Sequence, residues 1–414
     1  MALLTLDEAL SRVRVDAPPP PETVPIEAAL GRVLEADEVS SRASPTAAVS
    51  AMDGYAVRTE DLGATREFDV VGEAPAGGAF GGAVGPGQTV RIFTGGVLPS
   101  GADRVIVQEN AARRGDRVAL AVDDGAAAHV RPAGLDFAAG ETVARAGEAL
   151  TPARLALVAA ANVGRVQVRG RPRIVVLATG DELAPPGTDF APGRDDARIV
   201  DSAAPGVAAA FAAWGGQARA APVLRDERDA AAAALRSAAR EADLIVVIGG
   251  ASVGDRDVAR PAAVSAGATI DFAGVALKPG KPVWFARIDG GPALLGLPGN
   301  PASALVCAHL FGPAAMRALL GRPALDLDRR LRPARLAAAL PANGPREAFL
   351  RARLAWTADG EIAARTDDRQ DSALLTPFAD ADALLRRRPD APPAEEGALV
   401  DVLPLTGEDG PWPT

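Results

Sequence analysis

Two short apolar runs in this chain end in glycine-bearing loops. Arg173-Ile174-Val175-Val176-Leu177-Ala178 leads into Thr179-Gly180-Asp181-Glu182-Leu183, and Leu244-Ile245-Val246-Val247-Ile248 leads into Gly249-Gly250. Helical stretches separate them, one from Ala204 to Trp214 that stops at Gly215-Gly216, the other from Asp226 to Arg240. Strand–helix alternation of this kind predicts a parallel, doubly wound sheet. It also says where to look for function, because ligands bind at the loops beyond the carboxyl ends of such strands.

The rest of the chain reads differently. Thr5-Leu6-Asp7-Glu8 has the spacing of a capping box, and Leu6, Ala9, Leu10 and Val13 follow with helical period. The proline run Pro18 to Pro21 ends that helix, and Pro25 can open a second one carrying Ile26, Ala29, Leu30 and Leu34. Short strand-like runs punctuated by Gly and Pro follow to about Val130: Phe68–Val71, Val90–Phe93, Arg104–Val107 and Val118–Leu120. They predict a small β module. A helix is expected from Thr151-Pro152 to about Gly164, and short strands return after Arg322-Pro323. With 414 residues, two to four domains are expected. The boundaries read as 1–42 (helical, completed by 137–169), 43–136 (inserted β module), 170–321 (α/β) and 322–414 (β).

Composition narrows the function. Hydrophobic residues are 48% and charged residues 23%, an ordinary balance for a soluble globular protein. No apolar run reads as a bilayer span, and Met1-Ala2-Leu3-Leu4 leads into Asp7 and Glu8, not the pattern of a signal peptide. A cytoplasmic location is the default expectation. The single cysteine, Cys307, rules out an internal disulfide and a cysteine-cluster metal site. A net charge of −9 without a basic stripe argues against nucleic acid as the partner. An anionic substrate would need positive charge supplied locally. Lysine occurs only at Lys278 and Lys281, the other 42 of the 44 basic residues being arginine. In a chain so depleted of lysine, two ammoniums three residues apart in Lys278-Pro279-Gly280-Lys281-Pro282 point to a small anion that needs a compact charge. A pair of solvated surface lysines is the plainer alternative.

Further groups lie on loops. Asp181 and Glu182 can hold a divalent metal or position a water, although an Asp there is as often a helix cap. Gly249-Gly250-Ala251-Ser252-Val253-Gly254 can bring backbone N–H groups close to a phosphate, or be a tight strand-to-helix turn. Asp255 and Asp257 follow and would need a bridging cation if they faced that phosphate. In Gly296-Leu297-Pro298-Gly299-Asn300-Pro301, Asn300 and Pro301 start a helix running to Leu319, whose free N–H groups favour an anion. Cys307 and His309 fall inside that helix and read as core or flank residues, and His129 has no partner at metal spacing. Read from the residues alone, these loops describe a metal-assisted enzyme acting on a phosphorylated small molecule.

The order of motifs resembles the MoeA-type molybdopterin molybdenumtransferases, the family that includes the C-terminal region of gephyrin. The matching segments are Ser50-Ala51-Met52-Asp53-Gly54-Tyr55-Ala56, Phe93-Thr94-Gly95 with Pro99-Ser100-Gly101-Ala102-Asp103, and Val130 to Phe137. Then come the Thr179, Gly249, Lys278 and Gly296 loops, in the family's order and across most of the chain. The resemblance implies an α/β multidomain chain with a doubly wound molybdopterin-binding domain, an inserted β module, a helical N-terminal region and a C-terminal β-barrel. It implies a homodimer in which Asp53, Thr94 and Asp136 reach the site of the other subunit. The implied reaction inserts molybdenum from molybdate into adenylylated molybdopterin and releases AMP, with Mg2+ as the cation. Catalysis would fall to Asp53, Thr94, Asp136, Glu182, Asp226, Asp257, Lys278 and Lys281, and the metal to Asp181, Glu182 and Asp257. Gly249, Gly250, Ser252, Gly254, Pro298, Asn300, Pro301, Arg346, Arg351 and Ser372 would bind substrate. The adenylyltransferase of the preceding step is an implied partner. Four departures stand out: Ala203 where the family often has Asn, Ala251 where Val is common, Val258 where Tyr is common, and Gly274 where some members carry Lys. Two alternatives remain at this point, the adenylyltransferase itself and a non-catalytic cofactor-binding scaffold.

Overall fold

The structure, a computed structural model, describes residues 3–63, 66–121, 127–191, 193, 195, 197–250, 258–324 and 326–405. Its contacts divide the chain into two compact units, Thr23–Val168 and the combination of Met1–Glu22 with Arg169–Thr414.

The larger unit is built on a six-stranded sheet. Its strands are β1 (Arg173–Ala178), β2 (Gln217–Ala220), β3 (Leu244–Ile248), β4 (Ala268–Ala273), β5 (Trp284–Ile288) and β6 (Ala293–Leu297), in the order β2-β1-β3-β6-β5-β4. β2, β1, β3 and β6 are parallel neighbours, and β5 runs antiparallel to β6 and β4. Side chains alternate between two cores, as a period of two requires. Ile174, Val176, Leu244, Val246, Ile248 and Leu295 enter one; Val175, Leu177, Ile245, Val247 and Leu294 enter the other. Helices α1 (Ala203–Ala213) and α4 (Pro301–Leu319) cover the first face, and α2 (Arg228–Ala238) and α3 (Ala259–Ser265) the second. Burial on both faces explains why these strands read as continuous apolar runs.

Helix α4 is the spine of this unit. By length and composition it could cross a membrane, but 67% of its apolar window is buried in the protein, and it is a core helix here. Pro313 lies inside it and cannot donate to the carbonyl of His309. Arg330 Nη2 supplies that missing donor at 2.8 Å. Cys307 is fully buried, and burial pushes its thiol far above the ordinary range. His309 packs edge-on against Trp214 and beside Phe378, and burial holds its pKa below the ordinary histidine value. Both are packing residues of the core, as expected.

Beyond α4 the strands Arg332–Leu336, Glu347–Trp356, Ile362–Thr366, Ala383–Arg387 and Leu399–Pro404 form a closed five-stranded barrel, shut by pairing of the second with the fourth. Leu336, Ala352, Leu354, Ala364, Leu385 and Val402 fill it. A two-residue strand, Leu277–Lys278, adds in parallel to the barrel strand at Glu347–Ala348. The N-terminal helix Leu6–Ser11 has its capping box, with Thr5 and Glu8 exchanging bonds, and buries Leu6 and Ala9 in the same core as α4.

The smaller unit holds a six-stranded sheet ordered Arg104–Val107, Gly54–Val57, Gln88–Ile92, Glu67–Ala74, Arg117–Leu120, Ala111–Arg114. Two-stranded pairs join Glu38–Val39 to Thr142–Ala144 and Val49–Ser50 to Val130–Arg131. One expectation fails here. The second helix expected from Pro25 is a single 3-10 turn, Ile26–Ala28. Gly31, at φ 72°, turns the chain away. Its N–H bonds to Leu150 O at 2.9 Å, Leu34 N–H to Glu148 O at 3.0 Å and Glu35 N–H to Gln167 O at 2.9 Å. Pairing with a distant segment thus outweighs the helical apolar spacing. Among the described residues, the α-helix of this unit is Pro152–Ala160, which Thr151 caps.

Candidate active site

The carboxyl ends of β1, β3 and β6, the loop after β2, the lysine loop and the barrel line one cleft of about 1540 Å³. That exceeds the range of roughly 300–1,000 Å³ usual for a small-ligand pocket, so the cleft has room for a large substrate or for two. It lies where the sheet order reverses between β1 and β3, the position at which doubly wound sheets bind ligands.

Glu182 and Asp226 both line the cleft. Glu182 folds back over Gly180, where a Cβ would stand 2.8 Å from either of its carboxylate oxygens. Asp181 is turned to the protein: its Oδ1 accepts the Asp226 backbone N–H at 3.3 Å and ties the two loops together. Gly249 and Gly250 follow β3 with φ of 88° and 58°, values that disfavour a side chain at either position. Gly299 lies against Gly249, so this part of the wall is bare backbone. Ser252, Gly254, Asp255 and Asp257 lie outside the described residues.

The lysine loop is fixed at both ends. Leu277–Lys278 is held in the barrel edge, and Val275 N–H donates to Lys281 O at 3.0 Å. Gly280, at φ 126°, presses onto Leu277 and Cys307, with a Cβ position 2.7 Å from Cys307 Sγ. Lys278 and Lys281 are exposed on the cleft, and neither ammonium has an ion-pair or hydrogen-bond partner among the described residues. Arg346 lies next to them, its Nη1 donating to Leu277 O at 3.3 Å.

Asn300 and Pro301 open α4, but the helix start is not wholly free. Ala302 N–H donates to Ser372 O at 3.1 Å, and Asn300 Nδ2 donates to Ser372 Oγ at 2.6 Å. The barrel thereby reaches over the helix N-terminus. Arg351 holds that reach in place. It is 4% exposed, and its guanidinium donates to Gln370 Oε1 and to the carbonyls of Arg369, Asp371 and Leu374. Burial lowers its pKa. Gln370 in turn donates to the carbonyls of Arg351 and Asp367 at 3.0 and 2.7 Å. Four of the five N–H groups of Arg351 therefore position the 369–374 loop.

Several cleft residues were not among the site residues expected from the sequence: Thr179, Asp201, Ser202, Arg260, Ser303 and Gln370. Asp201 is buried and accepts the Ala204 N–H at 3.0 Å, capping α1, and Ala203 then lines the cleft where an Asn is common. Gly274 has φ 94°, a backbone conformation that strains any side chain, and a Cβ there would displace Leu3 Cδ2, which stands 2.9 Å from its position. Among the described residues no three His, Cys, Asp or Glu side chains gather at metal-binding spacing.

In the smaller unit, Asp53 Oδ1 accepts both the backbone N–H of Thr94 at 2.7 Å and its hydroxyl at 2.9 Å. Those two bonds, the backbone one foremost, hold the Asp53 carboxyl below its ordinary range. Asp136 is exposed, and its N–H donates to Ser44 O at 2.9 Å.

Three family models match the chain in order: the MoeA N-terminal region (domains I and II) over residues 4–162, a probable molybdopterin-binding domain over 175–318, and the MoeA C-terminal region (domain IV) over 333–405. Molybdopterin molybdenumtransferase 2 of Mycobacterium tuberculosis is 38% identical over 344 residues, 81% of this chain and 83% of that protein. The chain belongs to the MoeA family. Another relative, the molybdopterin molybdenumtransferase of a Nostoc species, is 36% identical over 74% of this chain and 71% of its own length. The crystal structure of the molybdopterin biosynthesis MoeA protein from Pyrococcus horikoshii OT3 superimposes with a TM-score of 0.81 at 25% identity, covering 97% of this chain and 99% of that one. As a MoeA-family member, the chain carries its ligand cleft in the region that matches the molybdopterin-binding model, closed on one side by the MoeA C-terminal barrel.

Proposed function

We propose that this MoeA-family chain is a molybdopterin molybdenumtransferase that acts on adenylylated molybdopterin and molybdate and releases AMP. The observation that carries this reading is one cleft combining a side-chain-free glycine wall, two lysines unpaired among the described residues, and two carboxylates. A phosphoanhydride and an oxyanion need that mixture. Glycine backbone admits phosphate closely. Lys278 and Lys281 offset the negative charge of molybdate and phosphate where the barrel meets the sheet. Arg351 and Gln370 hold Ser372 beside that charge, and Arg346 adds to it.

Magnesium fits the donor set. Mg2+ usually keeps several waters and binds one or two carboxylates plus substrate phosphates, not an all-protein cage. Glu182 and Asp226 supply two such carboxylates, with Asp181 behind them, and Asp257 is a further candidate from outside the described residues. When bound, the cation would neutralise charge on the phosphoanhydride as AMP leaves. Glu182 and Asp226 would also orient the water that opens the anhydride.

A cytoplasmic homodimer belongs to the same reading, with Asp53, Thr94 and Asp136 of one protomer completing the cleft of the other. So does transient contact with the adenylyltransferase that supplies the substrate.

The test is a single-turnover assay with adenylylated molybdopterin, magnesium and micromolar molybdate, following AMP release. Wild-type protein is expected to release AMP only with molybdate present. The Lys278→Ala/Lys281→Ala variant is expected to lose at least about 100-fold, the scale of removing a preorganised electrostatic contact. Tight binding without molybdate-dependent release would replace the enzyme with a binding protein.

A further inference from the structure

Thr179, the first residue beyond β1, has no role in the chemistry described so far. It is 6% exposed and lines the cleft at the β1–β3 reversal. Its backbone is fixed, N–H donating to Ile248 O at 2.9 Å. Its hydroxyl is buried and has no hydrogen-bond partner among the described residues. A buried hydroxyl left unpaired disfavours folding, and an apolar side chain of the same shape would avoid that cost.

What covers the hydroxyl is the glycine turn. A Cβ built on Gly249 or on Gly250 would stand 3.0 Å from Thr179 Oγ1, so the backbone of both glycines lies directly against the hydroxyl. Both glycines sit at positive φ and can yield by small rotations that other residues resist. The group on the far side of that turn is, on the reading above, the substrate phosphate.

We propose that Thr179 is a further substrate-binding residue, its Oγ1–H donating to a phosphoryl oxygen once the Gly249–Gly250 turn shifts to admit it. The inference rests on the function proposed above. The free protein keeps one polar group unsatisfied at this point, and the substrate supplies the acceptor.

The test compares Thr179→Val and Thr179→Ser with wild type in two measurements, thermal unfolding of the ligand-free protein and calorimetric binding of AMP with magnesium. Thr179→Val is expected to unfold at the same or a higher temperature, yet to bind AMP about 10- to 100-fold more weakly, as losing a hydrogen bond to a charged group implies. Thr179→Ser keeps the hydroxyl and is expected to bind within a few-fold of wild type. Equal AMP affinity in Thr179→Val would overturn the role of Thr179 and leave the proposed function standing. A Tm lowered by several degrees in Thr179→Val would show that the hydroxyl is already satisfied without ligand, which also overturns it. Absence of AMP binding by wild type would sink the function itself, and this inference with it.

Discussion

Gly280 shows how one residue without a side chain sets the position of two charges. Its φ of 126° lies where L side chains rarely go, and Leu277 Cδ2 and Cys307 Sγ stand 2.6 and 2.7 Å from its Cβ position. Gly280→Ala is therefore expected to lower stability by about 1–3 kcal/mol. It should also raise the molybdate concentration needed for half-maximal AMP release, because the loop must lift from α4 to make room. Urea unfolding and a molybdate titration check the two effects, and unchanged values in both would show the loop is not pinned there. At this scale the sequence was most informative about charge. Lys278 and Lys281 stood out by the scarcity of lysine, and both line the cleft. Thr179 and Gln370 gave no such signal, because a threonine or glutamine becomes distinctive only through what it fails to bond or what it clamps.

Secondary structure was legible where burial was simplest. β1 and β3 run over the residues their apolar, β-branched composition marks, and α4 spans Pro301 to Leu319 as its Asn-Pro start suggests. β6, Ala-Leu-Leu-Gly-Leu, escaped notice because alanine and glycine carry little strand preference, and Gly296 is there to admit Trp284. The false helix after Pro25 had the right apolar spacing, but Gly31 and the pairing to Glu148 and Leu150 were invisible without the third dimension. Within α4, Arg330 answers a local defect by donating to the carbonyl that Pro313 leaves open. Arg330→Ala is expected to lower stability by about 1–3 kcal/mol, since that carbonyl would lose its donor inside the core. Chemical denaturation measures this, and a change below about 0.5 kcal/mol would mean that water satisfies the His309 carbonyl.

For the whole molecule, the β1 and β3 motifs and the lysine loop announced a ligand cleft, while the enclosing barrel read from its own residues only as a run of short strands and was expected as a barrel through the family resemblance. How Arg351 organises residues 369–374 depends on contacts between segments about 20 residues apart, which no local pattern encodes. The homodimer reading makes a separate demand on the assembly. Mixing inactive Asp53→Ala protein with inactive Lys278→Ala protein should restore about a quarter of wild-type sites, the share of intact clefts when subunits of two types combine at random. Activity that stays at the level of the separate variants would show that each chain works alone.

Cys307 adds a use that evolution need not have intended. The only thiol of the chain lies sealed under the Lys-Pro-Gly-Lys turn, close enough that its Sγ meets Pro279 O at 3.9 Å. A reagent that modifies thiols can reach it only when that turn or the core beneath it opens. The rate of modification is therefore a clock for the lifting of the turn, and any anion that clamps the two lysines should slow it. The protein thus carries its own reporter of site occupancy, readable without cofactor or turnover.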